Sequence, residues 1–164
     1  MTQLGRSTTI RGLLLGVLVL AATAWAQTRP RIVDQMAKTH GIDAFGQIEA
    51  IRYTFNAEFP GVNVSRSWVW EPKTDQVSYE GQDKDGKPVQ VSYVRSQLNG
   101  APAHVQDDID PAFINDQYNL LFPFYVYWDY SADVQDLGMQ TLPLGKGSAT
   151  RVAVKYPPEA GAYL

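Results

Sequence analysis

The sequence predicts a mainly β (α+β) domain: an antiparallel meander curled into an incomplete, half-open barrel, with two or three helices covering it. Three observations carry this reading. From Ile51 to Phe59 apolar and polar side chains alternate without a break, the period of a strand with one dry and one wet face. Three more strand-like segments follow at short spacing, joined by runs of turn-forming residues. Helix start signals stand at Pro30 and at Asp110-Pro111, on either side of the strand-rich part.

The chain opens with an export signal over residues 1–26. Arg6 and Arg11 give a positive start, Gly12 to Ala22 an apolar core, and Ala24-Trp25-Ala26 a small-x-small cleavage site before Gln27. The apolar run of about 11 residues falls short of the roughly 20 that cross a bilayer as a helix. Cleavage near Ala26 and release into the periplasm or medium is therefore expected, with no stable transmembrane anchor. The two arginines are not adjacent, so there is no twin-arginine signature. The chain contains no cysteine, which excludes both a thiol-linked lipid and a disulfide.

What remains, 27–164, is about the length of one ordinary domain. Removing the two signal arginines takes the net charge from −3 to about −5, which argues against nucleic acid as a partner. Nine tyrosines and six phenylalanines supply apolar area for a packed core.

The elements follow in order. Pro30 opens a short helix whose Ile32, Val33, Met36, Ala37 and His40 share one face, with Gly41 just past its end. A shorter turn runs through Asp43 to Gln47. The strands are Ile51–Phe59, Val62–Trp70, Gln76–Gly81 and Val89–Arg95. Their connections include Pro72-Lys73-Thr74-Asp75 and Asp83-Lys84-Asp85-Gly86-Lys87, both rich in turn formers. A polar loop over 96–110 leads to a helix that Asp110 is placed to cap, with Pro111 at its first position. Ile114, Tyr118, Leu121, Phe122 and Tyr125 mark its apolar side, and Pro123 should end or kink it. A last alternating segment, Thr150–Tyr156, reads as a strand with no partner following it.

Catalytic chemistry finds little support. His40 and His104 have no ligand spacing, so no metal site and no cofactor is assigned. Asp83-Lys84-Asp85-Gly86 resembles the start of a calcium loop, but the twelfth position is Val94 where glutamate is needed, and a hairpin turn explains the same residues. Asp107, Asp108 and Asp110 read as helix-start residues before they read as acid–base carboxylates. Fingerprints of nucleophilic serine, phosphate or dinucleotide sites are absent, and no catalytic residue is assigned.

Arg66 stands out. On a regular strand it shares the apolar face with Val62, Val64, Trp68 and Trp70. An inward arginine is costly unless carbonyls or a carboxylate meet its donors. The simpler expectation is a bulge that turns it outward, or a rim position with its stem buried. The face formed by Tyr53, Phe55, Trp68, Trp70, Tyr79 and Tyr93 is read first as core. A curved sheet with few helices over it leaves open that these residues hold an apolar ligand.

Several segments resemble a family of uncharacterised exported bacterial proteins placed near the outer-membrane lipoprotein carrier (LolA/LolB-like) fold. They are His40-Gly41-Ile42-Asp43-Ala44-Phe45, Arg66-Ser67-Trp68-Val69-Trp70, Phe113-Ile114-Asn115-Asp116-Gln117-Tyr118, and Leu120 through Asp129. The resemblance implies a half-open barrel whose helix-covered hollow accepts acyl chains. It also implies a part for Arg66 in holding a helical lid closed. Relatives of this kind continue past the segment matching Lys155 to Tyr163 with strands that complete the barrel, so a chain truncated at its C-terminus, or a smaller variant of the fold, is expected. Together these readings predict a periplasmic, non-catalytic binder of lipid or another apolar group. The rival is an envelope protein–protein interaction module whose aromatic face is solid core.

Overall fold

The computed structural model describes residues 29–157, so the segment 1–26 read as an export signal lies outside the described residues. The meander is present. β1 (Ile51–Phe59), β2 (Val62–Glu71), β3 (Gln76–Gln82) and β4 (Pro88–Val94) pair antiparallel, in chain order, as one four-stranded sheet. Tyr53 pairs with Trp68, Trp68 with Tyr79, and Val77 with Tyr93. Alternation therefore collects these large side chains on one face. Hydroxyls line the other, where Thr54 bonds Ser67 at 3.0 Å and Ser78 bonds Ser92 at 2.8 Å. Within the described residues β1 and β4 are free edges, so the sheet is open and no barrel closes.

Two helical layers accompany the sheet. α1 (Arg31–Thr39) buries Val33 and Ala37, and the chain leaves it through Gly41 at φ +91°, a left-handed position that glycine occupies without strain. α2 (Asp110–Leu120) and α3 (Phe122–Trp128) are separated at Leu121, two residues before Pro123, where a break was expected. The first core lies under α2: Val105, Ile109 and Phe113 pack on Trp68, Val77, Tyr79 and Tyr93. A second core joins α1 and α3 to a hairpin of β5 (Asp133–Thr141) and β6 (Ser148–Lys155), through Val33, Val126, Ala132 and Val134. Phe45 stands between β2 and α3, with its ring 6.2 Å from Trp70 and 4.8 Å from Trp128. Arg29 donates to the carbonyls of Tyr127 and Asp129 at the end of α3, where a cation suits the helix dipole.

Three expectations need correction. The stretch read as a loop contains a 3₁₀ turn, Arg95–Gly100, and a π-helical turn, Val105–Ile109, whose Val105 and Ile109 are buried. The apolar stripe 105, 109, 113 was obscured by the acidic residues and prolines around it. The buried face of α2 is also not the predicted one. Asp110, Phe113, Asp116 and Gln117 are buried, whereas Ile114 and Tyr118 are only half-buried. A buried face made of aspartates gives no hydrophobic period to read. Finally, β5 was missed because only its root is covered: beyond Val134 both faces are exposed, and the pairing slips between Asp136 and Met139.

Candidate functional site

Arg66 stays on the inner face. β1 and β2 pair without a bulge through Phe55 and Arg66, so neither the outward turn nor an unpaired inward charge occurs. Its Nε and one Nη donate to the two carboxylate oxygens of Asp116 at 2.7 and 2.6 Å. The Trp68 indole N–H donates to the same carboxylate at 2.9 Å, and the Asn115 amide at 3.1 Å. A fork-to-fork pair of this kind fixes geometry as well as charge. Phe55 lies beside the guanidinium, with its ring centre 5.1 Å away.

A second pair repeats the arrangement six residues earlier on α2. Arg95 Nε donates to Asp110 at 2.8 Å and the Tyr93 hydroxyl at 3.0 Å. Asp110 therefore serves the sheet and does not cap its helix, and no side chain caps the start of α2. Burial pushes the Tyr93 hydroxyl well above its ordinary range, and the Asp110 carboxylate adds to this. Tyr53 is raised by burial and then by Asp116. For Arg95 burial works downward, but the Asp110 hydrogen bond and charge outweigh it and the guanidinium is raised.

The centre of the inner face is filled. Trp68 packs 4.6 Å from Tyr79 and 5.4 Å from Phe113, and Trp68, Tyr79 and Tyr93 are buried. Space appears instead at the far end of the sheet. A half-open cavity of about 300 Å³ lies between Val64, Arg66, Tyr79 and Val89 of the sheet and His104, Asp108, Ile109 and Ala112 of the helical layer. Of the six aromatic residues expected to line a ligand site, Tyr79 borders this cavity; Tyr53, Phe55, Trp68, Trp70 and Tyr93 do not. Arg66 does. Val64 and Val89 were legible from strand alternation, but His104 and Ile109 were hidden in the segment read as loop, and Ala112 lay in the expected helix but off its expected apolar side.

Two details shape the cavity. The Tyr79 ring leans along its strand so that its hydroxyl reaches the Gln82 carbonyl at 2.9 Å. That path crosses Gly81, where a Cβ would stand 2.6 Å from Tyr79 Cζ. At the mouth the Asp83 carboxylate accepts the Asp85 and Lys87 amides at 2.8 and 2.9 Å, which places Asp83-Lys84-Asp85-Gly86 in a hairpin turn. The Lys87 amide above all holds Asp83 below the usual carboxylate range. Among the described residues, the Tyr53 hydroxyl, Trp70 Nε1 and Gln117 Nε2 are buried without a hydrogen-bond partner.

Among the described residues no three histidine, aspartate or glutamate side chains gather as a metal site, and no helix is long and apolar enough to cross a membrane. No protein-family model matches the chain, and neither the curated proteins nor the solved structures contain a significant match to it.

Proposed function

We propose that this chain is an exported, periplasmic member of the lipoprotein-carrier-like group that binds lipid or another apolar group without catalysis. The single observation supporting this is the cavity at the open end of the sheet, whose Val64, Val89, Ile109 and Ala112 offer an apolar lining beside a charged mouth. Its volume is at the small end of ligand pockets. Each 100 Å² of acyl surface removed from water gains about 2.5 kcal/mol. A preformed space spares the cost of opening a packed core, which would consume that gain. In this reading Arg66 and Arg95 hold α2 against the sheet through Asp116 and Asp110.

The test is native mass spectrometry of protein recovered from the cell envelope, with N-terminal sequencing of the same sample. A chain beginning at Gln27 with a co-purified acyl mass is expected. An unprocessed chain contradicts the export reading, and an always empty protein contradicts the binding reading.

A second reading is an envelope interaction module. It draws on the solid packing of Trp68 with Phe113, and on the exposed side chains of Met139 and Leu144 along the outer part of the β5–β6 hairpin.

A further inference from the structure

We propose that the ligand's head group is a zwitterion of the phosphate–ammonium type carried on a single acyl chain. The inference rests on the binding role of the cavity and assigns the charges at its mouth. Besides Tyr79, whose hydroxyl is held by the Gln82 carbonyl, five charged or titratable side chains stand there: Arg66, Asp83, Lys84, His104 and Asp108. Two are already engaged. Arg66 is neutralised by the two-point pair with Asp116. Asp83 accepts two backbone amides of its turn on one carboxylate oxygen and remains an anion close in sequence to Lys84.

Lys84, His104 and Asp108 are left. All three are exposed and border the cavity. Among the described residues their side chains make no hydrogen bond or ion pair, and Lys84 and Asp108 do not pair with each other. One cation and one anion without a hydrogen-bond partner, Lys84 and Asp108, therefore flank the opening, with an imidazole able to donate a hydrogen bond beside them. An acidic head would meet Asp108, in a chain of net charge −3. A neutral head would leave both charges unanswered. A phosphate–ammonium head answers both: the phosphate oxygens accept from Lys84 and His104, and the ammonium donates to Asp108. The acyl chain then runs inward along Val64, Val89, Ile109 and Ala112.

The experiment compares three single-chain lipids of equal acyl length below their micellar concentrations: an acyl glycerophosphoethanolamine, an acyl glycerophosphate and a monoacylglycerol. Free phosphoethanolamine is the fourth ligand. Calorimetric titration of the exported protein should rank the zwitterion about tenfold tighter than either other lipid. Lys84→Gln should bring the zwitterion down to the level of the monoacylglycerol. Asp108→Asn should weaken the zwitterion and strengthen the acyl glycerophosphate. Equal affinity for all three lipids, unchanged by either substitution, overturns the head-group assignment and leaves the cavity as an acyl site. Binding by none of the lipids overturns the binding role itself. Free phosphoethanolamine binding as tightly as its lipid overturns the acyl part of the assignment.

Discussion

Arg66 of β2 and Asp116 of α2, fifty residues apart in sequence, form a two-point pair at 2.7 and 2.6 Å that fastens the covering helix to the sheet. With Arg95 and Asp110 it makes α2 a helix held by its charges as much as by Phe113. Its buried face is polar, yet its carboxylates are met, which is the condition for such a face to be stable.

Removing one partner should therefore be worse than removing both. Asp116→Ala leaves the guanidinium and the Trp68 indole N–H without their acceptor. A loss of about 3 kcal/mol is expected, the low end for a broken buried pair because Arg66 keeps some contact with water. Arg66→Met combined with Asp116→Leu should recover much of it, leaving about 1–2 kcal/mol for the unpaired indole. Urea unfolding of Asp116→Ala, of Arg66→Met and Asp116→Leu singly, and of the double variant checks the order. Additive losses would show that the pair does not couple.

Alkaline pH should unfold the protein through its buried phenols. Tyr53 and Tyr93 are raised above the ordinary value of 10.0, by burial first and then by the carboxylates beside them. A group raised in the folded state stabilises fully below its unfolded pKa, and that stability is lost as pH climbs past it. Stability should be level up to about pH 10 and then fall by up to about 1.4 kcal/mol per unit for each withheld tyrosine. Phenolate absorbance followed alongside urea melts tests this. Complete ionisation of all nine tyrosines near pH 10 in a still-folded protein is the contrary result.

Gly81→Ala should displace the Tyr79 ring from the path it takes to the Gln82 carbonyl. Overpacking of this kind costs about 1–3 kcal/mol. Because Tyr79 also walls the cavity, acyl binding should weaken beyond what the stability change explains. Unaltered melting and binding would mean that the ring shifts freely.

The β5–β6 hairpin should promote self-association. Within the described residues each strand has one neighbour, and Met139 and Leu144 are 66% and 86% exposed. Open edges with apolar side chains template further pairing. Sedimentation over a range of concentrations should show association that Met139→Lys reduces. A concentration-independent monomer contradicts this.

Much of the sheet was legible because alternation along Ile51–Phe59 and the turn residues around Asp83 leave little freedom of register. The helical layer was not, since its buried positions are Asp110, Asp116 and Gln117, which follow no hydrophobic period. Arg66 shows the limit best. Alternation placed it inward, but the carboxylate that makes this tolerable lies fifty residues away. The cavity was legible only in part for the same reason, with Val64 and Val89 given by strand period, Ile109 by a helical turn that begins before the proline, and Ala112 by a helix face read as exposed.

The account turns on the cavity at the end of the sheet accepting an acyl chain while the centre remains core. Titrating a fluorescent fatty-acyl probe into the protein, and into Val64→Trp and Ala112→Trp, tests this most directly. Both variants fill the space from opposite walls and leave Trp68 and Phe113 in place. Saturable binding by the parent chain, lost in both variants while their melting is retained, is the predicted result. Binding that survives both substitutions, or no binding by the parent chain, would contradict it.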